Sequence, residues 1–306
     1  MSRIVITGAT GMIGSSLVRV SLAKGHDVVA LCRASSPRVS NLPRDGRLAI
    51  VDCDVSALDS LDIKPIGKAD YLFHLAWTGT AAKTRNDAFA QERNIRYSLD
   101  AVSLAGRLGC TSFVGAGSQA EYGRAHCDLT PSTPTNPENG YGAAKLAAGQ
   151  LTRIACAQLG IRHEWARILS VYGPRDVAHS LVMSVIGDAC AGRPPACTAG
   201  EQLWDYLYCD DCAEALLAMA ERGVDGAVYP IGSGSPRRLA DYIRSICARC
   251  ATGVHPRLGA LPYPPGQVMQ LCADITTLTR DTGFQPHVTF EEGVARTIAW
   301  YRRQHG

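Results

Sequence analysis

Arg3-Ile4-Val5-Ile6-Thr7-Gly8-Ala9-Thr10-Gly11-Met12-Ile13-Gly14 opens as a short apolar strand and runs directly into a glycine-rich turn. From Ser15 to Lys24 apolar side chains recur at helical spacing, and the pattern stops at Gly25. A strand, a glycine turn and a helix in that order predict a phosphate site. Gly8 and Gly11 permit the tight turn and close approach of backbone, and Gly14 lets the helix pack on the strand. The amino end of the helix offers unpaired N–H groups to a pyrophosphate, so a bound dinucleotide is the expectation.

Further strands follow outward from this unit. Asp27-Val28-Val29-Ala30-Leu31 ends in Cys32-Arg33, where an NAD site would usually place an acid for the ribose 2′-hydroxyl, and no acid appears until Asp45. Arg33, supported by Arg38, would instead attract a 2′-phosphate, which favours NADP over NAD. The alternative is that Arg33 is a solvated residue on the Ser35-Ser36-Pro37 loop. Leu48-Ala49-Ile50-Val51 reads as a third strand leading to Asp54, which either accepts a bond from an adenine amino group or caps the next helix. Tyr71 to Trp77 reads as a fourth, bringing small and aromatic side chains to the cofactor edge, with His74 a packed strand residue. Repeated strands and helices of this kind predict an α/β fold, a Rossmann-like doubly wound parallel sheet.

A second group lies between Ser118 and Lys145. Phe113-Val114-Gly115-Ala116-Gly117 is an apolar strand ending in small residues that let a ligand approach, with the Ser118 hydroxyl at its carboxyl end. In Asn139-Gly140-Tyr141-Gly142-Ala143-Ala144-Lys145 the alanines favour helix, so Tyr141 and Lys145 stand one turn apart on one face. A free phenol has a pKa of about 10, and a neighbouring ammonium should pull it toward working pH, each unit being worth about 1.4 kcal/mol. Ser118, Tyr141 and Lys145 are therefore the candidate catalytic residues.

At 306 residues and 46% hydrophobic composition the chain suffices for one large domain or two lobes. A net charge of +3 is too mild to argue for nucleic acid or a membrane as partner. No signal peptide and no run long enough to span a bilayer is recognised, and a cytoplasmic protein is expected. Among the 12 cysteines, Cys209/Cys212 and Cys247/Cys250 have CxxC spacing. The gap between the pairs exceeds the roughly 15 to 20 residues of compact zinc modules, and both sit in apolar helical patterns. No metal is expected; the cysteines are read as reduced packing residues.

The TGATGMIG turn, the HLA strand end, Asn94 in a helix, GSQAEYG, YGAAK, RILSVYGPRD and WDYLYCDD occur in the order found in the extended short-chain dehydrogenase/reductases. From Ile4 almost to the carboxyl end the chain resembles their nucleotide-sugar epimerase/dehydratase/reductase branch. The resemblance implies that Gly8, Gly11 and Gly14 form the glycine fingerprint, with Met12 and Ile13 supplying N–H groups. It likewise implies adenine contacts from Asp54 and Val55, and a cofactor wall from Leu75 and Ala76. Ser118 would bond the substrate oxygen, Tyr141 act as acid/base and Lys145 hold the nicotinamide ribose. The sugar side would be built by Trp77, Gln119, Ser170, Arg175 and Trp204 besides Ser118 and Tyr141. Relatives commonly pair the helices around Asn94 to Arg107 and Tyr141 to Gln158, so a homodimer is implied. Residues 1–172, with 205–235 returning to them, would form the dinucleotide-binding domain; 173–204 and 236–306 would form a smaller, discontinuous substrate lobe.

Several departures narrow the expectation. In the resembling 4,6-dehydratases the Ser/Thr is followed by Asp-Glu, whereas Gln119-Ala120 follow here, so dehydration lacks its proton carriers. Trp204 replaces a usual Arg, and Pro264 stands where many relatives place a phosphate-binding Arg, leaving Arg175, Arg193 or Arg257 for that task. Asp210 and Asp211 are expected to cap the helix through Met219. An epimerase re-reduces its own substrate and suits bound NAD, while a net reductase consumes hydride and suits NADPH. The expected activity is NADP-dependent reduction of the keto group of a nucleotide-activated sugar, a nucleoside-diphosphate 4-keto-6-deoxyhexose. The alternatives are an NAD-dependent nucleotide-sugar epimerase and a small-molecule carbonyl reductase.

Overall fold

β1 (Arg3–Thr7) leads into α1 (Met12–Ala23) and β2 (Asp27–Cys32), followed by β3 (Leu48–Asp52) and β4 (Tyr71–His74). α2 (Ala88–Leu108), β5 (Ser112–Ser118), α3 (Gly140–Leu159) and β6 (Arg162–Ile168) come next. The computed structural model describes residues 1–81, 84–250 and 253–305; Ala82, Lys83, Ala251, Thr252 and Gly306 lie outside the described residues. After β7 (Ser170–Tyr172) and α4 (Leu181–Cys190), the short strands β8 (Leu203–Trp204) and β9 (Tyr206–Tyr208) precede α5 (Cys209–Arg222) and β10 (Val228–Ile231). β11 (Arg237–Arg238), α6 (Leu239–Cys250), β12 (Gln270–Leu271), α7 (Thr276–Thr282) and α8 (Phe290–His305) complete the order.

Seven strands form a parallel sheet in the order β10-β6-β5-β4-β1-β2-β3. Ile4, Val5 and Ile6 in β1 are buried in succession, which is why this strand reads as an unbroken apolar run. Alternate side chains feed opposite faces: Ile4 and Ile6 pack with Leu17 of α1 and Leu216 of α5, while Val5 packs with Leu104 of α2 and Phe113 of β5. Two helical layers thus cover one sheet, and its order reverses between β1 and β4. That reversal leaves a crevice at the strand carboxyl ends. No helix among the described residues is long and apolar enough to cross a membrane.

Helix boundaries follow local chemistry. α1 starts at Met12, earlier than the expected Ser15, because Gly11 already occupies the N-cap position. Asn139 caps α3 by accepting the Gly142 N–H at 2.8 Å, and Gly160 ends it in the left-handed conformation. The capping expected of Asp210 and Asp211 is corrected. β9 runs straight into α5, so Tyr208 is the N-cap residue without a side-chain cap bond. Asp211 instead accepts the Val288 N–H at 3.0 Å, and α5 extends to Arg222.

A second core is aromatic. Phe290 lies 4.4 Å from Tyr242 and 4.9 Å from Tyr172 between ring centroids. Cys209, Cys247 and Cys250 pack in this core and Cys212 in the first, so each CxxC pair packs as small apolar side chains. The fully buried Asp205 carboxylate joins three segments, accepting the N–H groups of Ser233 (2.7 Å), Gly234 (3.1 Å) and Ala273 (3.1 Å). Each buried donor left unpaired costs about 1–3 kcal/mol. Asp205→Ala is expected to lower stability by at least about 3 kcal/mol, read as a fall in the denaturant midpoint; an unchanged midpoint would refute the joining role.

Candidate active site

The crevice holds two adjoining clefts, with Trp77 in the wall of both. Gly8 has φ +69°, and a Cβ there would lie 2.7 Å from the Ala76 nitrogen, so only glycine lets β1 turn against the end of β4. A Cβ on Gly14 would lie 2.2 Å from the Gly8 carbonyl oxygen, which explains the close seating of α1. Gly11 differs: the nearest atom to its added Cβ is the Gly8 oxygen at 3.5 Å. The chain itself leaves that space open on the cleft side. α1 has neither a side-chain cap nor an acid in its first turn, and Met12, Ile13 and Gly14 line the cleft. Their N–H groups have no partner within the helix. An open cradle with unspent donors at a helix amino end fits a pyrophosphate.

The first cleft also gathers Arg33, Arg38, Asp54, Val55, Leu75 and Ala76. Both roles weighed for Asp54 concern one carboxylate. It caps the turn Val55–Ala57 by accepting the Ser56 N–H at 3.0 Å, and it also lines the cleft. Those Ser56 bonds hold its carboxyl below the usual range, with a smaller contribution from Arg33, whose Nε is 3.7 Å away. On the neighbouring strand Asp52 accepts the Ala34 N–H at 2.7 Å and does not line the cleft.

The second cleft brings Ser118, Tyr141 and Lys145 together. Burial holds the Tyr141 phenol above its ordinary value; the Ser118 hydroxyl and the Arg85 guanidinium pull it down, and Glu121 pushes it up. Lys145, one helical turn from Tyr141, is held on several sides. Its Nζ lies 5.8 Å from the Tyr141 ring centroid, donates to the Ala116 carbonyl at 2.5 Å and sits 3.7 Å over the Trp77 ring. Burial lowers the Lys145 ammonium to about 7, with Glu121 opposing. His74 is a packed residue as expected: it bonds the Thr7 hydroxyl at 3.0 Å, and burial lowers it to about 3.

Of the small residues of β5, Ala116 and Gly117 line the cleft beside Ser118, and the glycines have a further use. A Cβ on Gly115 would lie 2.3 Å from the Trp165 ring, and one on Gly117 would lie 2.3 Å from its Nε1. They make room for that indole from β6. Beneath Ser118 lies a group that sequence reasoning missed. Glu121 is fully buried, accepts the Ser118 N–H at 2.8 Å and the Trp165 Nε1–H at 3.0 Å, and pairs with Arg167 Nε at 2.7 Å. Ser118-x-x-Glu121 is a capping box, a signal present in the sequence.

The expected sugar-side residues are less gathered. Ser170 accepts the Trp204 Nε1–H at 2.8 Å, which joins β7 to β8, and neither lines the two clefts. Arg175 has φ +71° and is half-buried. Arg193 pairs with Asp188 at 2.8 Å, and Gln119 opens the single turn after β5. Asn94 holds the loop after β4, accepting the Thr78 N–H at 2.9 Å and donating to the Thr78 carbonyl at 3.0 Å.

A glycine turn at the reversal point of this sheet and the Ser/Tyr/Lys group define an oxidoreductase-type enzyme of the extended short-chain dehydrogenase/reductase class. The model of the NAD dependent epimerase/dehydratase family matches residues 4–232, and the chain belongs to that family. It is 26% identical over 343 residues to a dTDP-glucose 4,6-dehydratase of Neisseria gonorrhoeae, covering 97% of this chain and 95% of that one. A UDP-N-acetylglucosamine 4-epimerase from Methanobrevibacter ruminantium M1, solved with UDP-N-acetylmuramic acid, matches with TM-score 0.88, 25% identity and 99% of each chain covered. MoeE5, solved with UDP-glucuronic acid and NAD, matches with TM-score 0.82, 27% identity and 99% of each chain.

Two outcomes follow from the buried charges. Glu121→Ala leaves Arg167 buried without its partner and should cost about 3–5 kcal/mol, read in thermal unfolding; a loss below about 1 kcal/mol would mean solvent reaches the pair. For Lys145 the folded value of about 7 lies below its ordinary 10.5, so the unfolded chain binds more protons between them. Its cost to stability is complete below the folded value and fades as pH rises through that window. Lys145→Met should therefore be more stable than wild type at acid pH, with the gap closing toward alkaline pH; a pH-independent gap in denaturant midpoints would contradict this.

Proposed function

We propose that the chain is an NADP-dependent reductase acting on the keto group of a nucleotide-activated sugar, a nucleoside-diphosphate 4-keto-6-deoxyhexose. The observation that carries the cofactor preference is the pair of arginines, Arg33 and Arg38, on the cleft rim where β2 ends without an acid. A guanidinium recognises a phosphate through charge-assisted bonds. Gly11 and the N–H groups of Met12, Ile13 and Gly14 would hold the pyrophosphate, Asp54 and Val55 the adenine end, and Leu75 and Ala76 the wall.

When bound, the nicotinamide supplies the hydride that the carbonyl carbon accepts. Tyr141 Oη delivers the proton to the carbonyl oxygen, and Ser118 Oγ bonds the same oxygen. Burial above the ordinary phenol value suits this step, because it keeps Tyr141 protonated and ready to donate. Lys145 holds the ribose, and Trp77 closes the wall between the two clefts. Gln119, Ser170, Arg175 and Trp204 would border the sugar nucleotide beyond β5 and β7.

A second reading is a nucleotide-sugar epimerase carrying NAD. It is supported by the likeness to a UDP-N-acetylglucosamine 4-epimerase, by MoeE5 having been solved with NAD, and by the Asp54 carboxylate beside Arg33. We further propose the division into a dinucleotide-binding domain of residues 1–172 with 205–235 and a substrate lobe of 173–204 and 236–306. A homodimer through α2 and α3 is supported by Leu151 and Ile154 standing exposed on α3, and a cytoplasmic location by twelve free thiols.

The test mixes cofactor-stripped protein with a nucleotide 4-keto-6-deoxyhexose and follows NADPH and then NADH absorbance. Faster loss of NADPH is expected, with Arg33→Ala raising the KM for NADPH about tenfold or more and Tyr141→Phe lowering kcat about a hundredfold or more. Tightly held NAD and no net absorbance loss would overturn the reductase in favour of the epimerase.

A further inference from the structure

Thr84 to Asp87 connect the end of β4 to α2, yet their contacts reach α3. The Arg85 carbonyl accepts the Tyr141 N–H at 2.8 Å, and Asn86 Oδ1 accepts the Gly140 N–H at 3.1 Å. These are two of the donors that a helix start leaves free. The Arg85 guanidinium lies over the Tyr141 ring, 4.5 Å from its centroid, and the Trp77 ring meets the same ring edge-on at 6.0 Å and 82°. The segment is braced from behind, since the buried Gln91 donates to the carbonyls of Gly79 at 2.8 Å and Thr84 at 3.1 Å. Arg85 makes no ion pair among the described residues, and its Nε is buried without a hydrogen-bond partner there. It is absent from the walls of both clefts.

We propose that Arg85 is a positioning residue for Tyr141: its carbonyl fixes the first turn of α3 and its guanidinium fixes and polarises the ring. This rests on Tyr141 being the proton donor. A cation at a ring face is attracted by the neutral phenol and far more strongly by the phenolate. The groups facing Tyr141 are Arg85 from the β4–α2 segment, Ser118 and Glu121 from the end of β5, and Lys145 from its own helix. Ser118 and Arg85 favour ionisation, while Glu121 and burial oppose it. Removing Arg85 therefore raises the pH at which the phenol ionises.

Stopped-flow pH jumps, read at the tyrosinate band before the protein unfolds, isolate Tyr141 as the difference between each protein and its Tyr141→Phe counterpart. In Arg85→Met the Tyr141 ionisation should move up by about one pH unit or more, and Arg85→Lys should restore part of the shift. In turnover the alkaline fall of kcat should move the same way, with both KM values within about twofold of wild type, since Arg85 lines neither cleft. An unmoved tyrosinate band in a folded Arg85→Met protein overturns the proposal. So does an equal shift in Arg85→Lys, because a structural role alone would then suffice. Absence of reductase turnover in wild type would sink the reductase reading, while the absorbance titration still judges Arg85.

Discussion

The Glu121 carboxylate is the point on which the site's geometry depends. It is buried, and a buried charge is tolerated only when its partners replace water. Three donors do so from three places: the Ser118 backbone at the end of β5, the Trp165 indole and the Arg167 guanidinium on β6. Arg167 is itself buried and lies 4.4 Å from the Tyr122 ring, so it too is held on several sides. The consequence is local rigidity where a hydroxyl must be aimed. β5 has to end at Ser118, because the carboxylate that caps the following turn is anchored to the next strand.

Space for this network comes from the glycines of β5, one of which, Gly117, also lines the cleft. Gly115 and Gly117 face Trp165, and Gly149 of α3 approaches the same indole, with an added Cβ 2.7 Å away. One strand thus serves two neighbours by the alternation of its side chains. The glycines receive the indole and the carboxylate, and the Ala116 carbonyl accepts from Lys145. Lys145 is held by the Ala116 carbonyl and by Trp77, with its Nζ 5.8 Å from the ring of the phenol one turn earlier on the helix. Helical spacing fixed which face the two residues share, but the strand's carbonyl decided where the ammonium points.

Much of the fold was legible because parallel strands buried on both faces leave unbroken apolar runs, and because the turn after β1 demands glycine at Gly8 and Gly14 for steric reasons. The meeting of Ser118, Tyr141 and Lys145 was legible for the same reason, since all lie at strand ends or a helix start beside the crevice. The cap on α5 was not. Aspartates after a strand resemble a capping signal, but Asp211 is taken by the Val288 N–H from far along the chain. Arg85 was equally hidden, because its partner becomes a neighbour only when the β4–α2 segment lies against the start of α3.

Glu121 also bears on which chemistry its neighbourhood can perform. The resembling dehydratases place an acid and a base directly after the Ser/Thr, positions held here by Gln119 and Ala120. Glu121 is the next acid in line, and proximity alone would recommend it as a substitute proton carrier. Its bonds argue otherwise. Oε1 accepts from Ser118 and Trp165 while Oε2 is paired with Arg167, and Glu121 does not line the cleft that holds Tyr141. A carboxylate that takes up a proton must release such donors, and here all three are buried. The acid closest in sequence to the reacting group is therefore structural. Proton transfer is left to groups that face the cleft, and among these the phenol of Tyr141 is placed beside a hydroxyl and within reach of a cation.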